Sequence, residues 1–98
     1  MKQGYSVNLP VQFLKQGKYV VAYSPALDIS TVGRSQTEAK KRFGELTYLF
    51  LKEIIDAGTA EVVLSELGWS HARQRKNASW RPPVVSSTSV GVRMPAFA

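Results

Sequence analysis

The chain has 98 residues, 44% apolar and 20% charged, which is long enough for one modest core and too short for two. It has no cysteine, which excludes disulfides, thiolate metal sites and thiol nucleophiles. The net charge of +6 is unevenly placed: residues 1–66 carry eight Lys/Arg against seven Asp/Glu, whereas residues 67–98 carry Arg73, Arg75, Lys76, Arg81 and Arg93 and no acid.

Met1-Lys2-Gln3-Gly4-Tyr5 opens no signal-type apolar run, and runs such as Tyr48–Leu51 are far too short to span a bilayer. A soluble, cytoplasmic protein without a membrane segment is expected. Tyr5, Val7, Leu9, Val11 and Phe13 then alternate with polar residues and Pro10, the period of a strand with one buried face. Pro10 lacks an amide donor, so the strand should be bulged or free of a donor-requiring neighbour there. Lys15-Gln16-Gly17-Lys18 supplies a turn, and Tyr19–Tyr23 is rich in β-formers, making residues 5–23 a hairpin that ends at Ser24-Pro25.

A third strand is expected from Asp28 to Val32. Ser35-Gln36-Thr37-Glu38 has the form of a capping box, so a helix begins at Ser35. Ala39, Phe43, Leu46, Phe50, Ile54 and Ala57 follow at steps of three or four as its apolar stripe, and Gly58 is placed to stop it. A shorter helix fits Thr59 to Leu67, with Thr59 as its cap and Gly68 as its stop, after which Trp69 folds back onto the body. Residues 70–83 show no period and read as a basic connector. Thr88, Val90, Val92 and Met94 alternate with Ser89, Gly91 and Arg93 as a last strand ended by Pro95.

The expected architecture is α+β: an antiparallel sheet of three to four strands with one long and one short helix on one face, in the order β-β-β-α-α-β. It divides into an α/β domain at residues 1–69, the connector at 70–83 and a C-terminal strand or tail at 84–98.

Residues 17–39, GKYVVAYSPALDISTVGRSQTEA, resemble the N-terminal domain of HicB-family antitoxins. The matching positions are Gly17, Tyr19, Ala22, Pro25, Leu27, Thr31, Gly33, Thr37, Glu38 and Ala39, and the likeness covers residues 5–69. The resemblance implies a partial RNase-H-like domain that forms homodimers and neutralises a small, basic HicA-type ribonuclease toxin by direct contact. Many relatives add a C-terminal DNA-binding domain. Here Pro82-Pro83 and the Ser-rich segment after them leave no room for its helices.

No catalytic set, cofactor site or metal site is expected from the residues. An RNase-H-type centre needs several carboxylates converging on two metal ions, and Asp28 alone lies on an expected strand. Glu38, Glu45, Glu53 and Asp56 spread around a helix as solvated charges, and His71, the single histidine, has no neighbouring acid or nucleophile in sequence. There is no P-loop and no nucleophile-elbow motif. The reading is a binding protein, not an enzyme.

Three surfaces are candidates. Tyr23, Pro25, Leu27 and Asp28, within the HicB-like motif, are the expected toxin contact. Tyr48, Leu51 and Ile55 form a second apolar stripe on the long helix which, with Val90 and Val92 of the last strand, suggests homodimer contacts or a larger assembly. The alternative function is RNA binding through the connector, where Arg73, Arg75, Lys76, Trp80 and Arg81 mix bases with an aromatic.

Overall fold

The computed structural model describes residues 6–73 and 78–96. Three strands form an antiparallel sheet in the order β1 (Gln12–Gln16), β2 (Tyr19–Ser24), β3 (Ile29–Gly33). Gln16 faces Tyr19 across a two-residue turn, and Gly17 takes the left-handed φ of +59° that a hairpin of this length requires and that a side chain disfavours.

The expected first strand begins late. Residues 6–11 form no ladder, yet Val7, Leu9, Val11 and Phe13 are half-buried while Ser6, Asn8, Pro10 and Gln12 are exposed. The period of two therefore reported which side faces the core, and strand pairing starts only beyond Pro10, whose nitrogen has no hydrogen to donate.

Helix α1 (Gln36–Asp56) starts as expected: Ser35 is its N-cap, and the Glu38 N–H donates to Ser35 Oγ at 3.1 Å. The return arm of the box differs by one residue. Glu38 Oε1 accepts from the Arg34 N–H at 3.0 Å, one residue ahead of the cap. The helix lies over β2 and β3, and its first turn touches the sheet at Gly33, where a Cβ would sit 2.5 Å from the Ala39 nitrogen. No other residue fits that approach. Ala39, Phe43, Thr47 and Ile54 are its buried residues. Thr47 takes the inward position expected for Leu46, which is largely exposed, and its buried hydroxyl has no hydrogen-bond partner among the described residues.

Helix α2 (Ala60–Glu66) follows Gly58 and ends before Gly68, both at positive φ. Thr59 stands at its N-cap but does not cap it. Its hydroxyl instead donates to the Ile54 carbonyl at 3.3 Å, closing the end of α1.

The core has two parts. Ala22, Ala39 and Phe43 fill the space between sheet and helix, joined by Val11, Phe13, Val20 and Ile29. Ala26, Leu27, Ile54, Leu64 and Trp69 form the second, between the β2–β3 turn and the two helices.

Two expectations fail in the C-terminal third. The connector is not structureless: β4 (Ser70–Arg73) and β5 (Ala78–Arg81) pair antiparallel as a separate two-stranded sheet. The final strand at 88–94 is not one: residues 82–96 hold no regular structure, and Val90, Val92 and Met94 are 76%, 77% and 74% exposed. The radius of gyration, 16.8 Å, exceeds the roughly 13 Å of a compact chain this long, as a projecting arm requires.

Candidate functional site

The β2–β3 turn holds Tyr23, Ser24, Ala26 and Asp28 in one hydrogen-bonded unit. The Ala26 N–H donates to Ser24 Oγ at 3.3 Å, bending the chain just after β2. Asp28 sits at φ +53°, a left-handed conformation that aspartate tolerates better than most residues, and its Oδ1 accepts from the Tyr23 hydroxyl at 3.1 Å. From beneath, the Trp69 indole donates to the Ala26 carbonyl at 2.7 Å, and Trp69 is only 5% exposed. The turn is thus fixed by a residue 43 positions away.

The four expected contact residues separate on this scaffold. Tyr23 and Pro25 are half-buried and Asp28 is exposed, so these three can meet a partner. Leu27 cannot: at 3% exposed it belongs to the core with Ile54 and Leu64. The hydrogen bond to the Asp28 carboxylate holds the Tyr23 phenol above its ordinary pKa, with partial burial and the negative charge of Asp28 adding to it. The site presents the Asp28 carboxylate braced by the Tyr23 hydroxyl.

The sheet face away from α1 continues this surface. Leu14, Val21 and Val32 stand directly opposite one another across all three strands. Leu14 and Val32 are exposed, as is Tyr19 at the hairpin end, and none of the described helices covers that face. An apolar row on an open sheet face, flanked by Tyr19 and Tyr23, has the character of an interface. The sequence reading missed Leu14 and Val32 because the strand expected at residues 5–13 stopped short of one and left no partner for the other. The signal was present in Leu14, Val21 and Val32, which are apolar at positions that the alternation assigns to solvent.

The helical stripe is corrected in part. Tyr48 and Ile55 are 65% and 63% exposed, but Leu51 is half-buried against the core beside Ile54, because α2 reaches that side of the helix. Leu49 is exposed as well. Above this stripe a shallow depression of about 570 Å³ lies between Thr37, Lys40, Lys41, Gly44, Glu45 and Tyr48, open to solvent.

In the β4–β5 hairpin His71 lies opposite Trp80, with ring centroids 3.7 Å apart. Trp80 is half-buried and packs on the second core, so its ring serves the body and not a free stacking surface. Arg81 is exposed. Arg75 and Lys76 lie outside the described residues, as does the Arg73 side chain. Among the described residues no three His, Asp or Glu groups come together as metal ligands, and no helix is long and apolar enough to cross a membrane.

Comparison with family models, with curated proteins and with solved structures returns no match to this chain.

Proposed function

We propose that the protein is an antitoxin-like binding protein of the HicB type that neutralises a small, basic HicA-type ribonuclease by direct contact, without catalysing a reaction itself. The observation that carries this reading is the braced turn: Asp28 is exposed, hydrogen-bonded to Tyr23, and held from below by the Trp69–Ala26 bond. A carboxylate whose position is set before binding meets a cationic active site with little ordering cost. The open row Leu14–Val21–Val32 beside it supplies apolar area to the same contact. The partial RNase-H-like relationship belongs to this proposal, with the homodimeric habit that the resemblance implies. RNA binding by the β4–β5 hairpin fits less well, because Trp80 is occupied by His71 and the core.

The test is co-expression with a small, basic, histidine-containing HicA-type ribonuclease, sought first in the neighbouring reading frames. The expected result is a stable complex and restored growth, with Asp28→Lys losing both while keeping the fold. Normal toxicity in the presence of the wild-type chain, together with RNA affinity that falls steeply with salt, would sink the reading in favour of RNA binding.

A further inference from the structure

Gly44 stands in the middle of α1 for no reason that the fold supplies. Glycine in a helix interior weakens the helix relative to alanine, and it is tolerated where φ must be positive or where another element packs too closely for a side chain. Neither condition holds. Gly44 is not among the glycines at positive φ, and a Cβ built on it would meet nothing within 4 Å, in contrast to Gly33. The missing side chain opens the depression of about 570 Å³ bordered by Thr37, Lys40, Lys41, Glu45 and Tyr48.

The rim of this depression has the chemistry that a nucleotide requires. Tyr48, one turn beyond Gly44, is 65% exposed, and because helical side chains lean toward the preceding turn its ring borders the space left empty there. Lys41 and Lys40, three and four residues before Gly44, flank the other end. Among the described residues neither lysine forms an ion pair: Glu38 pairs with Arg42 and Asp56 with Lys52, and Glu45 stays apart although it follows Lys41 by four residues. Residues 34–44 set Arg34, Lys40, Lys41 and Arg42 against Glu38, a net charge of +3. An exposed aromatic ring with two unpaired ammonium groups a turn away suits a base and its neighbouring phosphates. Glu45 repels a phosphate on its own side and so confines the phosphates to the lysines. The depression is open to solvent and cannot enclose a free mononucleotide as a ligand pocket does, whereas a polymer can run past it. Stacking on Tyr48 needs an unpaired base, which excludes a duplex.

We propose that this flank of α1 binds single-stranded nucleic acid, with one base stacked on Tyr48 over the bare backbone at Gly44 and the adjoining phosphates on Lys40 and Lys41. Glycine at position 44 lets the base approach the helix. The site shares no residue with the braced turn and does not rest on the toxin-binding reading, which growth rescue tests separately.

The experiment titrates the full chain with a short single-stranded RNA, with its annealed duplex and with adenosine monophosphate, and reads binding from the amide NMR shifts of residues 37–48. The single strand should move these resonances, and the duplex and the mononucleotide should each bind at least about 10-fold more weakly. Lys40→Ala/Lys41→Ala should weaken the single-strand affinity by about 10-fold or more and reduce its log–log dependence on salt by about 1.4, the share of two phosphate contacts. Gly44→Met fills the notch with a good helix former, so it should abolish the shifts while raising the melting temperature. Shifts confined to residues 70–96, a duplex that moves residues 37–48 as readily as the single strand, or shifts that survive Gly44→Met would each overturn the proposal. So would a Gly44→Met chain that melts lower, which would give the glycine a structural role, or one that changes only the sedimentation of the protein, which would make this face a protein contact.

Discussion

Residues 7–13 and 88–94 carry the same pattern, apolar side chains at every second position, and end in opposite states. In the first, Val7, Leu9, Val11 and Phe13 are half-buried; in the second, Val90, Val92 and Met94 stand in water. The difference lies in what is nearby and not in the pattern. The first segment leads into a hairpin whose partner strand is two residues away and whose inner face meets the long helix, whereas the second follows a Pro-Pro pair and pairs with no strand among the described residues. Alternation thus records that a segment is built to bury one face, and the surroundings determine whether its own fold does so.

Three variants sharpen that contrast, since body and arm should respond differently. The largest effect is expected for Trp69→Ala, which removes the indole that joins the turn, α2 and the second core. Loss of a buried aromatic costs about 3–5 kcal/mol, and the Ala26 carbonyl also loses its donor. Chemical denaturation should show a proportionate fall in midpoint, and a loss below about 1 kcal/mol would mean that Trp69 does not hold the turn.

Gly33→Ala should come next, at about 1–3 kcal/mol, because the added methyl meets backbone atoms of Ala39 and Glu38 that cannot swing aside. Thermal melting should separate it clearly from Gly91→Ala in the arm, where a Cβ meets nothing within 4 Å.

The smallest effect concerns pH. The Tyr23 phenol and the Lys52 ammonium both have raised pKa values, through hydrogen bonds to Asp28 and Asp56 respectively. A group whose pKa is higher folded than unfolded stabilises the fold fully below its unfolded value and loses that contribution as pH rises through the folded one. The Tyr23 contribution should therefore be constant through neutral pH and fade above about pH 10. Tyr23→Phe should flatten part of the alkaline loss of stability measured by melting, and an unchanged alkaline profile would show that the Tyr23–Asp28 bond adds nothing.

Much of the body was legible because its signals are local. The Ser35 cap, the turn at Gly17, the helix ends at Gly58 and Gly68, and the inward set Ala39, Phe43 and Ile54 all follow from conformational preference or from a period of 3.6 residues. The candidate site was legible only in part. Tyr23, Pro25 and Asp28 reach the surface, whereas Leu27, the one aliphatic side chain of the four and the type most often buried, lies in the core with Ile54, Leu64 and Trp69.

What sequence by itself determined is the order and type of the elements from β1 to α2 and the side of each that seeks cover, since these depend on neighbours within a few residues. Tertiary structure alone decided the rest. It turned Leu51 inward and left Tyr48 and Ile55 out, because α2 packs on one flank of α1. It made a hairpin of residues 70–73 and 78–81, whose β-propensity is poor, by seating Trp80 on the core opposite His71. It left residues 82–96 without a ladder, since alternation alone makes no strand until a partner strand lies alongside.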